Sequence, residues 1–342
     1  MEKQPVEFLG RQIHSFLTQA REEIGHFLGT HSDNLVFIPN ATHGINIVAR
    51  SMEFPRGSEI LTTNHEYGAM DRTWHFLSEL TGWVYQPYQV PLPLDQPGDL
   101  VDGLFAQVNE QTRAIFISHI SSPTSVIFPV KEICRRAREL GIFSIIDGAH
   151  APGQLDLMLE DVQPDFYTGN FHKWLCAPKG SAFLYVRPEI QPNVKPLVVS
   201  WGYESLTPGV STFQDYLEWT GTQDFSAFLS VPAAIEFQRQ NRWSDLRRRC
   251  HQMASQTWKT WAEITQLPQL YMHDGWFAQM VTLPVPTQYP AEELKRRLLE
   301  DYRIEIPVIE WEGNQYIRLS VQAYNTMGEM EALIGALTSL FM

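Results

Sequence analysis

Two segments of the sequence carry residues that can form and break bonds where a strand ends. Asp147 closes the apolar run in IFSIIDGAH (142–150), and its carboxylate can ligate a metal, act as a base or pair with a protonated heterocycle. Lys173 stands in NFHKW (170–174), and an amine at a strand-to-helix turn can form an imine if burial lowers its pKa. Taken alone, such a lysine is more often a solvated surface residue.

Two further segments contain residues suited to holding a ligand. NATHG (40–44) places small residues and the hydroxyl of Thr42 at a helix start, where free N–H groups attract anions. NHEYGA (64–69) supplies Tyr67, whose ring can stack on a flat molecule. Alone, the first motif more often only caps its helix, and the second is as often ordinary packing at a sheet edge. Ligands of open α/β sheets bind at the carboxyl ends of strands, so all four segments are predicted to meet there.

Short apolar strands alternate with helical stretches over the first two thirds of the chain. Near-continuous apolar strands of this kind indicate a mostly parallel sheet with helices on both faces, the α/β class. A helix is predicted over 11–28 and another over 130–140. The predicted strands are 35–40, 59–63, 114–119, 142–147, 165–170 and 181–186.

The pattern changes after Pro232 and predicts a smaller C-terminal α+β domain. Its predicted elements are a helical stretch over 233–262, a strand over 276–283, a helix over 291–302, a strand over 315–321 and a helix to Phe341. Thr326 and Glu329 fit a capping box for the last helix. We expect an N-terminal helix in 1–28 that packs on the small domain or a dimer partner, a large domain over 29–235 and a small domain over 236–342.

Composition excludes several classes of function. The chain has 342 residues, 44% of them hydrophobic, and a formal net charge of −13, which argues against nucleic acid or an anionic membrane as the main partner. The cysteines at 134, 176 and 250 form no cluster, so neither a disulfide framework nor a metal site is predicted. There is no apolar run of about 20 residues, and the first residues are too polar for a signal peptide. We therefore expect a cytoplasmic protein that does not bind membranes.

The order of these motifs resembles that of the class V aminotransferases, which are fold-type I enzymes dependent on pyridoxal 5′-phosphate (PLP). The resemblance rests on DGAHAPGQLDL (147–157) and DFYTGNFHKWLCAPKGSAFLYV (165–186). A finer similarity to isopenicillin N epimerase-like proteins covers nearly the whole chain. It rests on QPVEFLGR (4–11), FIPNATHGIN (37–46), NHEYGAMDRTW (64–74), HKWLCAPKG (172–180) and WTGTQDFSAFLSVPAAI (219–235).

The resemblance implies a fold-type I architecture and a role for each residue around the PLP ring. Lys173 would form the imine with the cofactor and then move the α-proton of the substrate. Asp147 would pair with the ring nitrogen so that the ring accepts electrons. Tyr67 would stack on one face of the ring and act with these two in catalysis, with Ala149 on the opposite face. His150 would donate to the phenolic oxygen.

The same resemblance implies contacts to the phosphate and to the substrate. Thr42 with its neighbouring N–H groups, Asn170 and His172 would hold the phosphate, and Thr222 would reach it from the second subunit of a homodimer. Arg318 would bind the substrate carboxylate through its forked guanidinium, although a structural salt bridge is almost equally compatible with the sequence. Ala41 and Ser122 complete the implied set of cofactor contacts.

The implied activity is a reaction of an amino acid or its derivative that begins with loss of the α-proton, as in the epimerase-like proteins. Transamination by a class V aminotransferase and β-elimination by a cysteine or cystine C–S lyase are the alternatives, and an inactive PLP-fold binding protein is a weaker one. Residues 303–317 contain no cysteine, which argues against a desulfurase that forms a persulfide. Gln223 stands where many relatives have an arginine, which removes one possible anion contact. Epimerase-like relatives usually begin with another segment that contains a motif like FLNHGSFG and contributes to the substrate side of the site. Either the start of this chain is shortened or that wall of the pocket is built differently.

Overall fold

The larger sheet is built from strands whose side chains are apolar on both faces. The structure, a computed structural model, describes residues 3–342. On the strand Thr112–Ser118, Ile115 and Ile117 belong to one buried cluster, and Ala114 and Phe116 belong to the other. A strand buried on both faces needs a layer of helices on each side. The seven strands are β1 Leu35–Ile38, β2 Glu59–Thr63, β3 Val84–Tyr88, β4 Thr112–Ser118, β5 Phe143–Asp147, β6 Phe166–Asn170 and β7 Ala182–Val186.

The spatial order of these strands is β1-β7-β6-β5-β4-β2-β3. The pairs from β3 through β2, β4 and β5 to β6 are parallel, and only β7 runs antiparallel to both of its neighbours. The prediction of a mostly parallel sheet is therefore confirmed. The carboxyl ends of the parallel strands lie at one edge, which is where a ligand site forms in such sheets.

Helices connect these strands and cover the sheet. A π-helical turn over Phe8–Gln12 leads into the long N-terminal helix Ile13–Leu28. The helices of this part are α1 Pro5–Glu7, α2 Ile13–Leu28, α3 Ala41–Ser51, α4 Gly68–Thr81, α5 Pro97–Phe105, α6 Val130–Glu139, α7 Leu159–Val162, α8 Thr212–Glu218, α9 Ser226–Leu229 and α10 Val231–Gln240.

A second, three-stranded antiparallel sheet lies in the C-terminal part, where the strand Asn314–Ser320 pairs with Met280–Val285 on one side and with Val308–Trp311 on the other. The capping box of Thr326 and Glu329 begins the last helix, as predicted. Among residues 3–342, no helix is long and apolar enough to cross a membrane. The elements of this part are α11 Trp243–Thr265, β8 Met280–Val285, α12 Ala291–Tyr302, β9 Val308–Trp311, β10 Asn314–Ser320 and α13 Met327–Phe341.

Two sequence predictions were wrong in their limits by more than two residues. The strand predicted over 276–283 begins only at Met280, because Asp274–Trp276 form a 3₁₀ turn. The helical stretch predicted over 233–262 is two helices, α10 and α11, which are separated where Arg242 adopts a φ of +50°. A positive φ cannot continue a right-handed helix.

A buried ion pair fixes the N-terminal helix to the large sheet. Arg21 on α2 contacts Glu218 at the end of α8 at 2.5 Å, and the second carboxylate oxygen accepts the N–H of Phe37 on β1 at 3.0 Å. Burial raises the pKa of Glu218, and the positive charge of Arg21 opposes that rise. Helix α2 also packs against α10. The division into 1–28, 29–235 and 236–342 remains a proposal.

Candidate active site

A cleft opens where the parallel strands β5 and β6 end. Its cavity volume is about 30 Å³, and about 340 Å³ is free of protein atoms when the open solvent at its mouth is included. All the residues predicted for the site line this cleft except His172, Thr222 and Arg318. The lining residues are Ala41, Thr42, Tyr67, Ser118, Ile120, Ser122, Asp147, Ala149, His150, Asn170 and Lys173.

Asp147 is a buried carboxyl group at the end of β5. Its residue is 4% exposed, and one carboxylate oxygen accepts the N–H of Ala149 at 2.9 Å. Burial raises the pKa of Asp147, while the N–H of Ala149 and the charge of Lys173 oppose the rise. The side chain lines the cleft, so a cation or a protonated ring nitrogen bound there would compensate a charge that is otherwise poorly solvated.

Lys173 follows β6, and its side chain also lines the cleft. The residue is partly exposed to solvent, and the protein packed around its amine lowers the pKa of that amine to about 8. Asp147 opposes that lowering, and Arg318 and Lys179 add to it. The amine nitrogen lies 3.1 Å from Nε2 of His150. A lysine with so low a pKa holds a reactive free amine in a larger fraction of molecules than a surface lysine does.

The start of helix α3 forms the small-residue end of the cleft. Asn40 caps this helix by accepting the N–H of His43 at 2.9 Å, and Asn170 at the end of β6 accepts the N–H of Ala41 at 2.8 Å. Gly44 allows the helix to lie against β6, because an added Cβ would be 2.6 Å from Oγ1 of Thr168. The cleft therefore borders a helix N-terminus, the kind of position that stabilises a phosphate.

Arg318 reaches the edge of the cleft from β10 of the smaller sheet. Its guanidinium donates to the backbone oxygen of Ser122 at 2.6 Å and to the hydroxyl of Ser122 at 2.9 Å. Its Nε is buried and has no hydrogen-bond partner among residues 3–342. Burial lowers the pKa of Arg318, and its charge contributes to the lowered pKa values of Lys173 and His150. Arg318 therefore supplies a positive charge and a free donor beside the lysine.

Besides Arg318, two predicted residues lie outside the lining of the cleft. His172 is half-buried, and its Nδ1 lies 3.0 Å from the backbone oxygen of Ser181, so Nε2 is the nitrogen left for a ligand. Thr222 is exposed in the loop between α8 and α9. Within one chain, Thr222 therefore does not complete the cleft.

Sequence reasoning missed Glu66, which lies beneath the cleft. Glu66 is 5% exposed and accepts the N–H of Ser118 at 2.8 Å, the hydroxyl of Ser118 at 2.6 Å and the hydroxyl of Thr63 at 2.7 Å. Burial, with a smaller contribution from the charge of Asp147, raises the pKa of Glu66 to about 8. In the sequence, only its position directly before Tyr67 pointed to Glu66 as a site residue. Its hydrogen-bond partner Ser118 lies 52 residues away along the chain, so their contact could not be predicted.

The chain matches a known family along nearly its whole length. The family profile described as "Aminotransferase class-V" matches residues 4–333. The isopenicillin N epimerase of Amycolatopsis lactamdurans is 32% identical over 98% of this chain and 88% of its own length. That of Streptomyces clavuligerus is 33% identical over 98% and 87%. The probable chloroplastic L-cysteine desulfhydrase of Arabidopsis thaliana is 28% identical over 99% of this chain and 77% of its own length.

Solved structures share the fold at low sequence identity. The cystine C–S lyase C-DES, solved in complex with its reaction product cysteine persulfide, superposes with a TM-score of 0.82 over 96% of this chain and 87% of that chain, at 20% identity. The apo cysteine desulfurase of Thermococcus onnurineus NA1 gives a TM-score of 0.81 over 95% and 84%, also at 20% identity. These likenesses confirm the predicted fold-type I architecture.

Proposed function

We propose, from the premise that this chain belongs to the aminotransferase class V family and is a PLP-dependent enzyme, that it removes the α-proton of an amino acid and returns a proton to the same carbon. The product would be the epimer of the substrate. The proposal follows the epimerase relatives, whose alignments with this chain cover 98% of its length.

The residues of the cleft fit PLP in charge and in chemical type. Lys173 has the lowered amine pKa needed to bond an aldehyde, and Asp147 is a buried carboxyl facing the same space. The N-terminus of α3 with Thr42 would hold the phosphate, and Tyr67 and Ala149 would lie on the two faces of the ring. When bound, PLP supplies a ring that accepts electrons from the α-carbon of an amino acid.

Lys173 is the group that we propose to carry the α-proton. Its amine has a pKa of about 8, so it can both accept and return a proton near neutral pH. His150 lies 3.1 Å away and restricts where the amine points. Asp147 is 4% exposed, and its negative charge would keep a ring nitrogen protonated.

Arg318 is the residue that we propose to bind the substrate carboxylate. Its guanidinium already makes two hydrogen bonds to Ser122, which fix its position, and its buried Nε is free for a further acceptor among the described residues. A carboxylate bound there would lie at the edge of the cleft that Lys173 lines, because Ser122, which holds Arg318, lines the same cleft. The substrate would thus be oriented with its amino group toward the lysine.

The observation that carries the proposal is the meeting of Lys173, Asp147 and Arg318 at one cleft from three separate parts of the chain. A structural salt bridge would pair Arg318 with a carboxylate. Its hydrogen-bond acceptors are instead the two oxygens of Ser122, which leaves its charge available to an anionic substrate.

The test is incubation of the PLP-loaded enzyme with a panel of L-amino acids in deuterated water. We expect one substrate to gain solvent deuterium at the α-carbon and to invert its configuration. A 2-oxo acid together with an aminated cofactor would instead indicate transamination. Lys173→Ala is the matched control, since it removes the proton carrier and should show no deuterium uptake.

A β-elimination is the second candidate, because the Arabidopsis desulfhydrase relative covers 99% of this chain. It shares the loss of the α-proton and differs in the next step, where a thiol leaves the β-carbon. The same panel distinguishes the two, since cysteine or cystine would then yield pyruvate and a sulfur product. Residues 303–317 contain no cysteine, so we do not propose a persulfide on that segment.

We also propose that the enzyme is a homodimer in which Thr222 contacts the phosphate in the partner's cleft. Thr222 is exposed, and the loop between β7 and α8 exposes large apolar side chains to solvent, among them Trp201 at 87% and Leu206 at 100%. Large exposed apolar side chains of this kind favour a protein interface. The predicted cytoplasmic location remains a proposal, consistent with the free thiols of Cys134, Cys176 and Cys250.

A further inference from the structure

A row of hydrogen-bonded side chains connects Trp174 to the amine of Lys173. Nε1 of Trp174 lies 3.1 Å from Nδ1 of His150, and Nε2 of His150 lies 3.1 Å from Nζ of Lys173. Trp174 and His150 are 6% and 9% exposed. Their backbones are held as well: Gln238 donates to the oxygen of Trp174, and Gln154 donates to the oxygen of His150, each at 3.0 Å.

The chemistry of indole fixes the direction of these hydrogen bonds. An indole N–H can only donate, so Nδ1 of His150 must accept and carries no proton. The doubly protonated ring is then excluded, in agreement with the burial that lowers the pKa of His150 well below its usual value. A neutral imidazole must carry its single proton on Nε2. Nε2 therefore donates toward Nζ of Lys173, and only a neutral amine can accept that hydrogen bond.

The charged groups around Lys173 do not by themselves keep the amine neutral at pH 7. Burial lowers its pKa to about 8, Asp147 favours the ammonium form, and Arg318 and Lys179 disfavour it. At pH 7, most molecules with a pKa of about 8 would still carry the ammonium. A donor fixed at 3.1 Å disfavours the ammonium further, because two N–H groups would then face each other.

We propose that Trp174 is a positioning residue that holds His150 as a donor through Nε2 and so presents Lys173 to PLP as a free amine. The inference rests on the proposed function only in that Lys173 is the amine that bonds the cofactor. In that step the lone pair of the amine adds to the aldehyde carbon and a carbon–nitrogen double bond forms. One water leaves with the aldehyde oxygen and both amine protons.

The first test reads the tautomer of His150 directly in the unaltered full-length protein. We would record ¹⁵N spectra of histidine-labelled protein between pH 6 and pH 9, with PLP bound and after its removal. His150→Gln identifies the two ring signals by their loss. We expect an unprotonated Nδ1 and a protonated Nε2 in both forms and at every pH. A protonated Nδ1, or a doubly protonated ring, would overturn the inference.

The second test removes only the indole N–H. Trp174→Phe keeps a buried aromatic ring, and Trp83→Phe is the matched control, since Trp83 is also 6% exposed and its Nε1 donates to a backbone oxygen distant from the cleft. The rate of PLP capture by the cofactor-free full-length chain is followed by absorbance from pH 6 to pH 10. We expect the pH midpoint for Trp174→Phe to lie about one unit higher, with capture roughly tenfold slower at pH 7 and nearly equal at pH 10.

The two tests separate the possible failures. If Trp174→Phe has the same pH midpoint as Trp83→Phe, Trp174 does not act through His150 and the inference is wrong. If Trp174→Phe does not fold, the tautomer of His150 in the unaltered protein decides alone. If PLP bonds no lysine of the unaltered protein, the proposed function fails, while the tautomer measurement still reports on Trp174 and His150.

Discussion

Replacing Glu66 by glutamine tests whether a buried carboxyl group beneath the cleft holds a proton at neutral pH. Glu66 accepts hydrogen bonds from Ser118 and Thr63 and is 5% exposed. In the variant Glu66→Gln, the amide oxygen can still accept from Ser118, and the NH₂ group can donate to the hydroxyl of Thr63. The glutamine side chain thus imitates the protonated acid and cannot ionise.

The sign and size of the effect follow from the pKa of Glu66. Burial raises that pKa from 4.5 to about 8 in the folded chain. Below pH 4.5 both the folded and the unfolded chain hold the proton, and between pH 4.5 and about 8 only the folded chain does. The stabilising contribution of the proton is therefore fully present at low pH and is lost progressively as the pH rises through the folded pKa. The whole range corresponds to a loss of about 5 kcal/mol in the free energy of unfolding.

The assay is urea unfolding of the unaltered protein and of Glu66→Gln at several values between pH 5 and pH 9, with PLP removed from both. We expect the variant to gain stability relative to the unaltered protein as the pH rises, because only the unaltered protein ionises. Glu110→Gln on the exposed surface controls for the loss of one carboxylate. A stability difference that stays constant from pH 5 to pH 9 would refute the assignment of Glu66 as a protonated acid.

Three further substitutions test the fold and the cleft. Glu218→Ala should lower the free energy of unfolding by about 3–5 kcal/mol in urea titrations, because it leaves Arg21 buried without its partner. Gly148→Ala should weaken PLP binding roughly tenfold or more in a spectroscopic titration, since an added Cβ would lie 2.2 Å from the ring of Tyr167, directly beside Asp147. Arg318→Lys should lower kcat/KM roughly ten- to hundredfold for an amino acid, mainly through KM, because lysine cannot offer a forked donor.

Each of these substitutions has a control of its own. Glu53→Ala breaks an exposed ion pair with Lys195 and should leave the urea midpoint unchanged. Gly98→Ala adds a methyl group with no atom within 4 Å and should not affect PLP binding. For Arg318→Lys, the kcat/KM measured with an amino acid amide should fall little, since the amide has no carboxylate. An equal fall in kcat/KM for the acid and for the amide would contradict the assignment of Arg318.

The strand ends that carry the chemistry were predictable because burial on both faces makes the central strands almost continuously apolar. Asp147 and Asn170 are therefore recognisable as the points where β5 and β6 stop. Strand β3 was missed because it lies at the sheet edge, where its side chains are largely exposed and Pro87 interrupts the pattern. Strand β9 was missed for a similar reason, as none of its four residues is fully buried.

The contacts that tune the cleft could not be predicted from the sequence. Trp174 and His150 are 24 residues apart, and their hydrogen bond depends on how two loops pack rather than on any periodic pattern. Glu66 depends in the same way on Ser118, which the parallel pairing of β2 with β4 brings close. The spacing of strands along the sequence predicts which residues lie at the same edge of the sheet. Which side chains then form hydrogen bonds, and which of them donates, can be seen only in the folded structure.

Lys173 must be the lysine that bonds PLP if the cleft works as proposed. Borohydride reduction of the PLP-loaded enzyme, followed by peptide mass spectrometry, identifies the modified lysine without any substitution. We expect a phosphopyridoxyl group on Lys173, and none on the neighbouring Lys179, which donates to the backbone oxygen of His172. A modified Lys179 with an unmodified Lys173, or no modified lysine at all, would contradict the role assigned to Lys173.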